Sequence, residues 1–146
     1  MTPVNHTAQR ILEHLVDGLR RPGQAKRIDN AAGTYTAVSV ECIGRDRFSV
    51  AHYGEQNGDL MSDPEMTFWR GPSGLFYATS WRNDYVGSYR EAVTSFNDRD
   101  QPARVCPREQ REQASFAGTW MRNIRTQQQL AIPLRDPNRR LVGYLR

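Results

Sequence analysis

Apolar side chains recur at Ile11, Leu12, Leu15, Val16 and Leu19, the spacing of one helical face, and Asn5 or Thr7 stands ahead of them as an N-cap. This predicts an amphipathic helix over residues 6–20, ended by Arg20-Arg21-Pro22-Gly23, where turn residues follow cations that suit a helix C-terminus. A short basic loop then runs through Arg27. From Tyr35 the period changes to two. Tyr35, Ala37, Val40 and Cys42 alternate with Thr36, Ser39 and Glu41, and Phe48, Val50 and His52 alternate with Ser49, Ala51 and Tyr53. With Ile43-Gly44-Arg45-Asp46 as the turn, the two runs predict an antiparallel hairpin. Residues 65–69 and 75–81 are further β-rich runs, and residues 85–89 read as a fifth strand or as the lead into a short helix over 90–96. A linker bracketed by Pro102 and Pro107 precedes a second helix over residues 108–128, in which Phe116, Trp120 and Ile124, with Met121 beside them, form a narrow apolar stripe. Gly118 weakens that helix by up to ~1 kcal/mol relative to Ala unless it permits a close backbone approach. Residues 130–134 and 141–145 read as short terminal strands around Asp136-Pro137-Asn138. The expected fold is α+β, a mostly antiparallel sheet of four to five strands flanked by an N-terminal and a C-terminal helix. A single domain over residues 1–146 is expected, with a basic tail from about residue 130.

A chain of 146 residues is long enough to bury roughly two-thirds of its unfolded surface in one core. Its apolar runs fall far short of the ~20 residues that span a bilayer, and the N-terminus lacks the layout of a signal peptide, so a cytoplasmic location without a membrane partner is expected. Cys42 and Cys106 have no C-x-x-C companion and read as reduced thiols. The formal charge of +4 is unevenly spread: residues 1–40 carry five basic and three acidic side chains, residues 41–98 five and nine, and residues 99–146 ten and four. Lys26 is the only lysine, so arginine supplies nearly all the positive charge. GC-rich coding gives that bias, and so does a need for the guanidinium fork on phosphate or carboxylate. The pI near 9.4 argues against an acidic DNA mimic and permits contact with nucleic acid.

Candidate chemistry concentrates in residues 56–69, where Asp59, Asp63 and Glu65 accompany an Asn57-Gly58 turn and Pro64. Clustered carboxylates suit a hard divalent cation, but the spacing is not that of a calcium loop and no neighbouring lysine completes a nuclease motif. The simpler reading makes Asp59 a turn residue, Asp63 an extended residue before proline and Glu65 the opening of a strand. No cofactor or metal site is expected. His52 could pair with a carboxylate as a general base, but its place in the alternating run favours a hydrogen-bonded strand histidine. No serine or cysteine stands in a nucleophile motif and no Gly-rich phosphate loop is present, so no catalytic residue is assigned. The adjacent pairs Phe68/Trp69 and Phe76/Tyr77 point to opposite faces of a strand, so aromatic side chains must occupy a second face, under a helix or open to a partner. Asn57, Asp59, Asp63, Glu65, Trp69 and Trp81 are the candidate partner-binding residues. Arg122, Arg125, Arg135, Arg139 and Arg140 are the candidates for an alternative, nucleic-acid-binding role, Arg122 and Arg125 on neighbouring parts of the helix's polar surface.

The segment Gln56-Asn57-Gly58-Asp59-Leu60-Met61-Ser62-Asp63-Pro64-Glu65-Met66 and the later Phe116-Ala117-Gly118-Thr119-Trp120-Met121-Arg122-Asn123-Ile124-Arg125-Thr126-Gln127 resemble an uncharacterised family, a domain of unknown function. Its members are small proteins of bacterial plasmids, integrative elements and phages. The family's second motif tends to continue as Gln-Gly-aromatic, and here Gln127 is followed by Gln128-Gln129. The resemblance implies a setting and no activity. In that setting a non-enzymatic protein that binds a host defence component, as anti-CRISPR and anti-restriction proteins do, is the leading expectation. An accessory nucleic-acid-binding protein is the alternative, and a metal-dependent enzyme at Asp59, Asp63 and Glu65 the third.

Overall fold

A computed structural model describes residues 1–135 and 141–145. Helix α1 spans His6–Val16, and Asn5 caps it by accepting a 2.8 Å hydrogen bond from the Ala8 amide. The strands that follow are β1 (Ala25–Ile28), β2 (Val38–Gly44), β3 (Arg47–Gln56), β4 (Asp59–Arg70), β5 (Phe76–Asn83) and β6 (Ser88–Glu91). They form a six-stranded sheet in sequence order, every neighbour antiparallel. Strands β7 (Val93–Phe96) and β8 (Pro102–Val105) pair as a ribbon, helix α2 spans Pro107–Gln127, and β9 (Ile132–Arg135) pairs with β10 (Leu141–Leu145). The expected Asp136-Pro137-Asn138 turn lies outside the described residues.

The α+β architecture matches expectation, and the main sheet is wider than four to five strands. The extra edge strands have little apolar alternation: β1 falls in the basic loop, and β6 exposes three of its four side chains. Residues 93–96 are strand rather than helix, and residues 102–105 pair with them instead of acting as a linker.

Residues directly opposite each other in an antiparallel ladder share a face, so the register assigns both faces. One face carries the rows Lys26-Val40-Val50-Met66-Trp81-Arg90 and Cys42-Phe48-Phe68-Ala78. Both helices pack here: Ala8, Ile11, Leu12 and Leu15 of α1 and Ala117, Trp120, Met121 and Ile124 of α2 join these strands in one core. The stripe on α2 is rotated from its expected setting. Phe116 is 40 % exposed, because the small side chains of Ala114, Ala117 and Gly118 let the helix seat on an arc centred away from it. A Cβ on Gly118 would stand 2.5 Å from the Asn5 side-chain nitrogen, so the glycine provides the close approach that admits the α1 cap.

Candidate functional site

The other face of the sheet carries Arg27-Ser39-Ala51-Glu65-Arg82-Tyr89 as one row and Ala25-Glu41-Ser49-Thr67-Ser80-Glu91 as the next. No helix covers it among the described residues. At one end, beside the row Arg47-Trp69-Tyr77, the β7–β8 ribbon closes over it: the Arg47 guanidinium lies 3.7 Å from the Phe96 ring centroid, and Asp100 pairs with Arg47 at 3.5 Å. The rest is open. A groove of about 530 Å³ runs along β1, β2 and β3, lined by Arg27, Ser39, Glu41, Ser49, Tyr53 and Leu60 among others.

Leu60 reaches this groove from a projecting arm. The β2–β3 ladder ends at Ser39↔Ala51 and the β4–β5 ladder begins at Glu65↔Arg82, so β3 and β4 continue as a two-stranded hairpin from Tyr53↔Ser62 to Gln56↔Asp59. Asn57 and Gly58 turn its tip with φ of 53° and 83°, the left-handed angles that an Asn-Gly hairpin turn requires. Residues 55–60 are exposed, Leu60 by 69 %. The loop after β5 braces the base of the arm: the Ser62 amide donates to Asp84 at 2.8 Å, the Asp84 amide donates to the Ser62 carbonyl at 2.8 Å, and Asn83 donates to Asp63 at 3.0 Å. A register slip between Ala51 and Tyr53 accommodates Asp63 and Pro64, whose peptide bond is cis.

The expected Asn57-Gly58 turn is present, and Asp63 is extended before Pro64 as expected. Only Asn57 and Gly58 form it; Asp59, Asp63 and Glu65 are strand residues, and Glu65 lies mid-strand rather than opening one. The Glu65 carboxylate accepts from Ser49 at 2.8 Å and from Ser62 at 3.1 Å, while Asp63 is held by Asn83 and Asp59 stands at the tip. Among the described residues no three His, Cys, Asp or Glu side chains converge on a common metal position. Trp69 is 8 % exposed and packs on Tyr77 with ring centroids 5.6 Å apart, whereas Trp81 lies on the helix-covered face against Phe116. The six candidate partner-binding residues therefore do not form one patch. Asn57, Asp59 and Asp63 belong to the arm and Glu65 to the open face.

Electrostatics tie the open face together. Burial, then Glu65 and Glu41, push the Tyr53 phenol above the usual tyrosine range, with the nearby Ser49 hydroxyl acting the other way. Burial, then Glu91, raises Tyr89 in the same way. Arg82 holds Asp84 below the usual carboxylate range through a 2.7 Å bond, helped by the Ser62 amide. His52 is the hydrogen-bonded strand histidine expected, with Nδ1 3.1 Å from the Ala37 carbonyl and its ring edge-on to Trp120. Cys42 is buried and Cys106 exposed, and both are free thiols.

The arginine candidates separate. Arg122 is exposed on α2, but Arg125 is 9 % exposed, its Nε and one terminal nitrogen without an acceptor, so it is not part of the helix's polar surface. Burial, then the neighbouring Arg122, lowers its hold on the proton. Arg135 closes β9, and Arg139 and Arg140 lie outside the described residues. The residues that the alternation did not single out are Arg27, Glu41, Arg82 and Tyr89, which only the register brings into line with Glu65.

No described helix is long and apolar enough to cross a membrane. No curated protein and no solved structure matches the chain. A family profile does match, over residues 6–130, which takes in α1, the whole six-stranded sheet, the ribbon and α2. The chain belongs to the family described as Domain of unknown function (DUF6908).

Proposed function

We propose that this protein is a non-enzymatic binding protein that holds a host protein against the open face of its sheet and the β3–β4 arm. The observation that carries the reading is the uncovered face itself, two ladder rows of Tyr, Glu, Arg and Ser beside a groove and a braced hairpin. Its polar groups are already fixed by Ser49–Glu65–Ser62 and Arg82–Asp84 contacts, so little ordering entropy is lost on association. Tyrosine adds wide amphipathic contact area with few rotatable bonds. The resemblance of the two motifs to proteins of plasmids, integrative elements and phages supports a mobile-element setting, in which the bound protein is a component of host defence.

An affinity pull-down from host extract, with and without nuclease, tests this. A nuclease-resistant protein should be retained by the wild type and lost from Arg82→Glu and Tyr89→Ala variants whose melting temperature is unchanged. Retention by those variants would move the interface elsewhere. Recovery that depends on nucleic acid would favour the alternative, an accessory nucleic-acid-binding role, which draws on the exposed Arg108, Arg111 and Arg122 of α2. The metal-dependent enzyme has the least support, since Glu65 is engaged by two serines. Saturable micromolar binding of Mg²⁺, Ca²⁺ or Mn²⁺ that disappears in Asp59→Asn/Asp63→Asn would revive it.

A further inference from the structure

The open face carries more negative charge than its own cations neutralise. The arginines on its rows are already engaged: Arg27 pairs with Asp29 at 3.0 Å, Arg82 with Asp84 at 2.7 Å, and Arg47, under the ribbon, with Asp100 at 3.5 Å. Lys26, beside the groove, turns its amine to the Asp17 carbonyl at the end of α1, 2.9 Å away. Glu41, Glu65 and Glu91 stand on the two ladder rows, and Glu55 follows on the arm opposite Leu60. Among the described residues none of these four carboxylates forms an ion pair, and all but Glu65 are exposed. Nucleic acid would be repelled here, whereas a cationic surface would find every carboxylate unclaimed by a counter-charge.

The tyrosines narrow the kind of cation. Besides burial, Glu65 and Glu41 act on the Tyr53 phenol and Glu91 on that of Tyr89, so each ring stands beside carboxylates; Tyr89 is 58 % exposed. A guanidinium uses both groups at once, its plane stacking on a ring while its fork of N–H donors meets carboxylate oxygens, and an ammonium offers a point charge alone. Between the tyrosines the rows carry the small side chains of Ser39, Ser49, Ala51, Thr67 and Ser80, and Leu60 adds an apolar wall at the groove. From Glu41 on β2 to Glu91 on β6 is four strand spacings, roughly 19 Å at ~4.8 Å each, which an extended chain covers in about six residues. Building on the partner-binding reading above, we propose that the open face receives an extended, arginine-bearing segment of the partner protein, laid across β2 to β6 with guanidinium groups beside Glu41, Glu65 and Tyr53 at one end and Glu91 and Tyr89 at the other.

Calorimetric titration with nona-arginine and nona-lysine peptides at low salt tests this without any host extract. Nona-arginine should bind saturably, and nona-lysine, of equal charge, more weakly. Glu41→Gln/Glu91→Gln keeps side-chain size and should weaken nona-arginine at least about tenfold, the effect of losing one good hydrogen bond to a charged group. Glu13→Gln/Glu112→Gln removes the same charge from exposed positions on α1 and α2 and should leave the affinity unchanged. Both double variants replace exposed carboxylates by their isosteres, so melting temperatures equal to wild type should accompany the result. No saturable binding, equal losses in the two double variants, or nona-lysine held as tightly as nona-arginine would each overturn the proposal. In the pull-down, a host protein lost from Tyr89→Ala and fully retained by Glu41→Gln/Glu91→Gln would keep the partner-binding reading and overturn the arginine-bearing segment alone.

Discussion

Trp120 illustrates how a single side chain links the layers: it is 6 % exposed, stands edge-on to His52 of β3 at 5.6 Å and touches Phe116 of its own helix. Trp120→Ala should therefore cost about 3–5 kcal/mol in urea unfolding, the range for deleting a large buried aromatic, and an unchanged midpoint would place the ring at the surface. Tyr53 makes the corresponding statement about the open face. Its folded-state value is raised by burial and by Glu65 and Glu41. The neutral phenol's contribution is fully present below the unfolded value of about 10 and is lost as pH rises through the higher folded value. Tyr53→Phe should thus flatten the fall in stability on the alkaline side of that window, measured by denaturant midpoints at stepped pH. An identical alkaline profile would mean the phenol is not held by that network.

At the scale of elements, the contact between Gly118 and Asn5 sets a sign that propensity alone would get wrong. Gly→Ala inside a helix normally stabilises by up to about 1 kcal/mol, but here the new Cβ meets the side chain that caps α1. Gly118→Ala should be neutral or destabilising in the wild type and stabilising in an Asn5→Ala background, so the double-mutant cycle will not be additive. Additivity would show that the cap can shift without loss. The same pair marks the extent of what the chain makes legible. Both helices and strands β2 to β5 follow from 3.6- and two-residue periods, and Gly118 was suspect from its position alone. Strands β1 and β8 left no pattern because edge strands of four residues bury too little, and β6 was seen only as the strand-or-helix segment 85–89 that it overlaps. The open face was hidden for another reason: Phe68/Trp69 and Phe76/Tyr77 make both faces of β4 and β5 apolar, so alternation cannot say which one the helices take. The bond from Gln113 to the Arg90 carbonyl is a crossing for which neither segment carries a local signal.

At the scale of the whole molecule, charge is segregated: the region of the sheet carries the acidic excess and the final third the basic one. A partner drawn to the arm and open face should present a basic surface, and its association should slow as salt shortens the screening length from about 30 Å at low ionic strength to about 8 Å at physiological strength. Asp59→Asn/Asp63→Asn should flatten that dependence in stopped-flow measurements while leaving the melting temperature in place, and a salt-independent rate would remove the electrostatic part of the argument. At the β6 edge, Gln113 takes the Arg90 carbonyl and the Cys106 amide takes that of Ala92, so a foreign strand finds those acceptors occupied. A partner on the proposed face would therefore meet side chains of the open rows, while the alternate residues of the same strands build the core. Each strand thus divides its side chains between the core and the open face, and if that face binds a partner as proposed, substitutions among Arg27, Glu41 and Tyr89 would change the recognised surface without touching the interior.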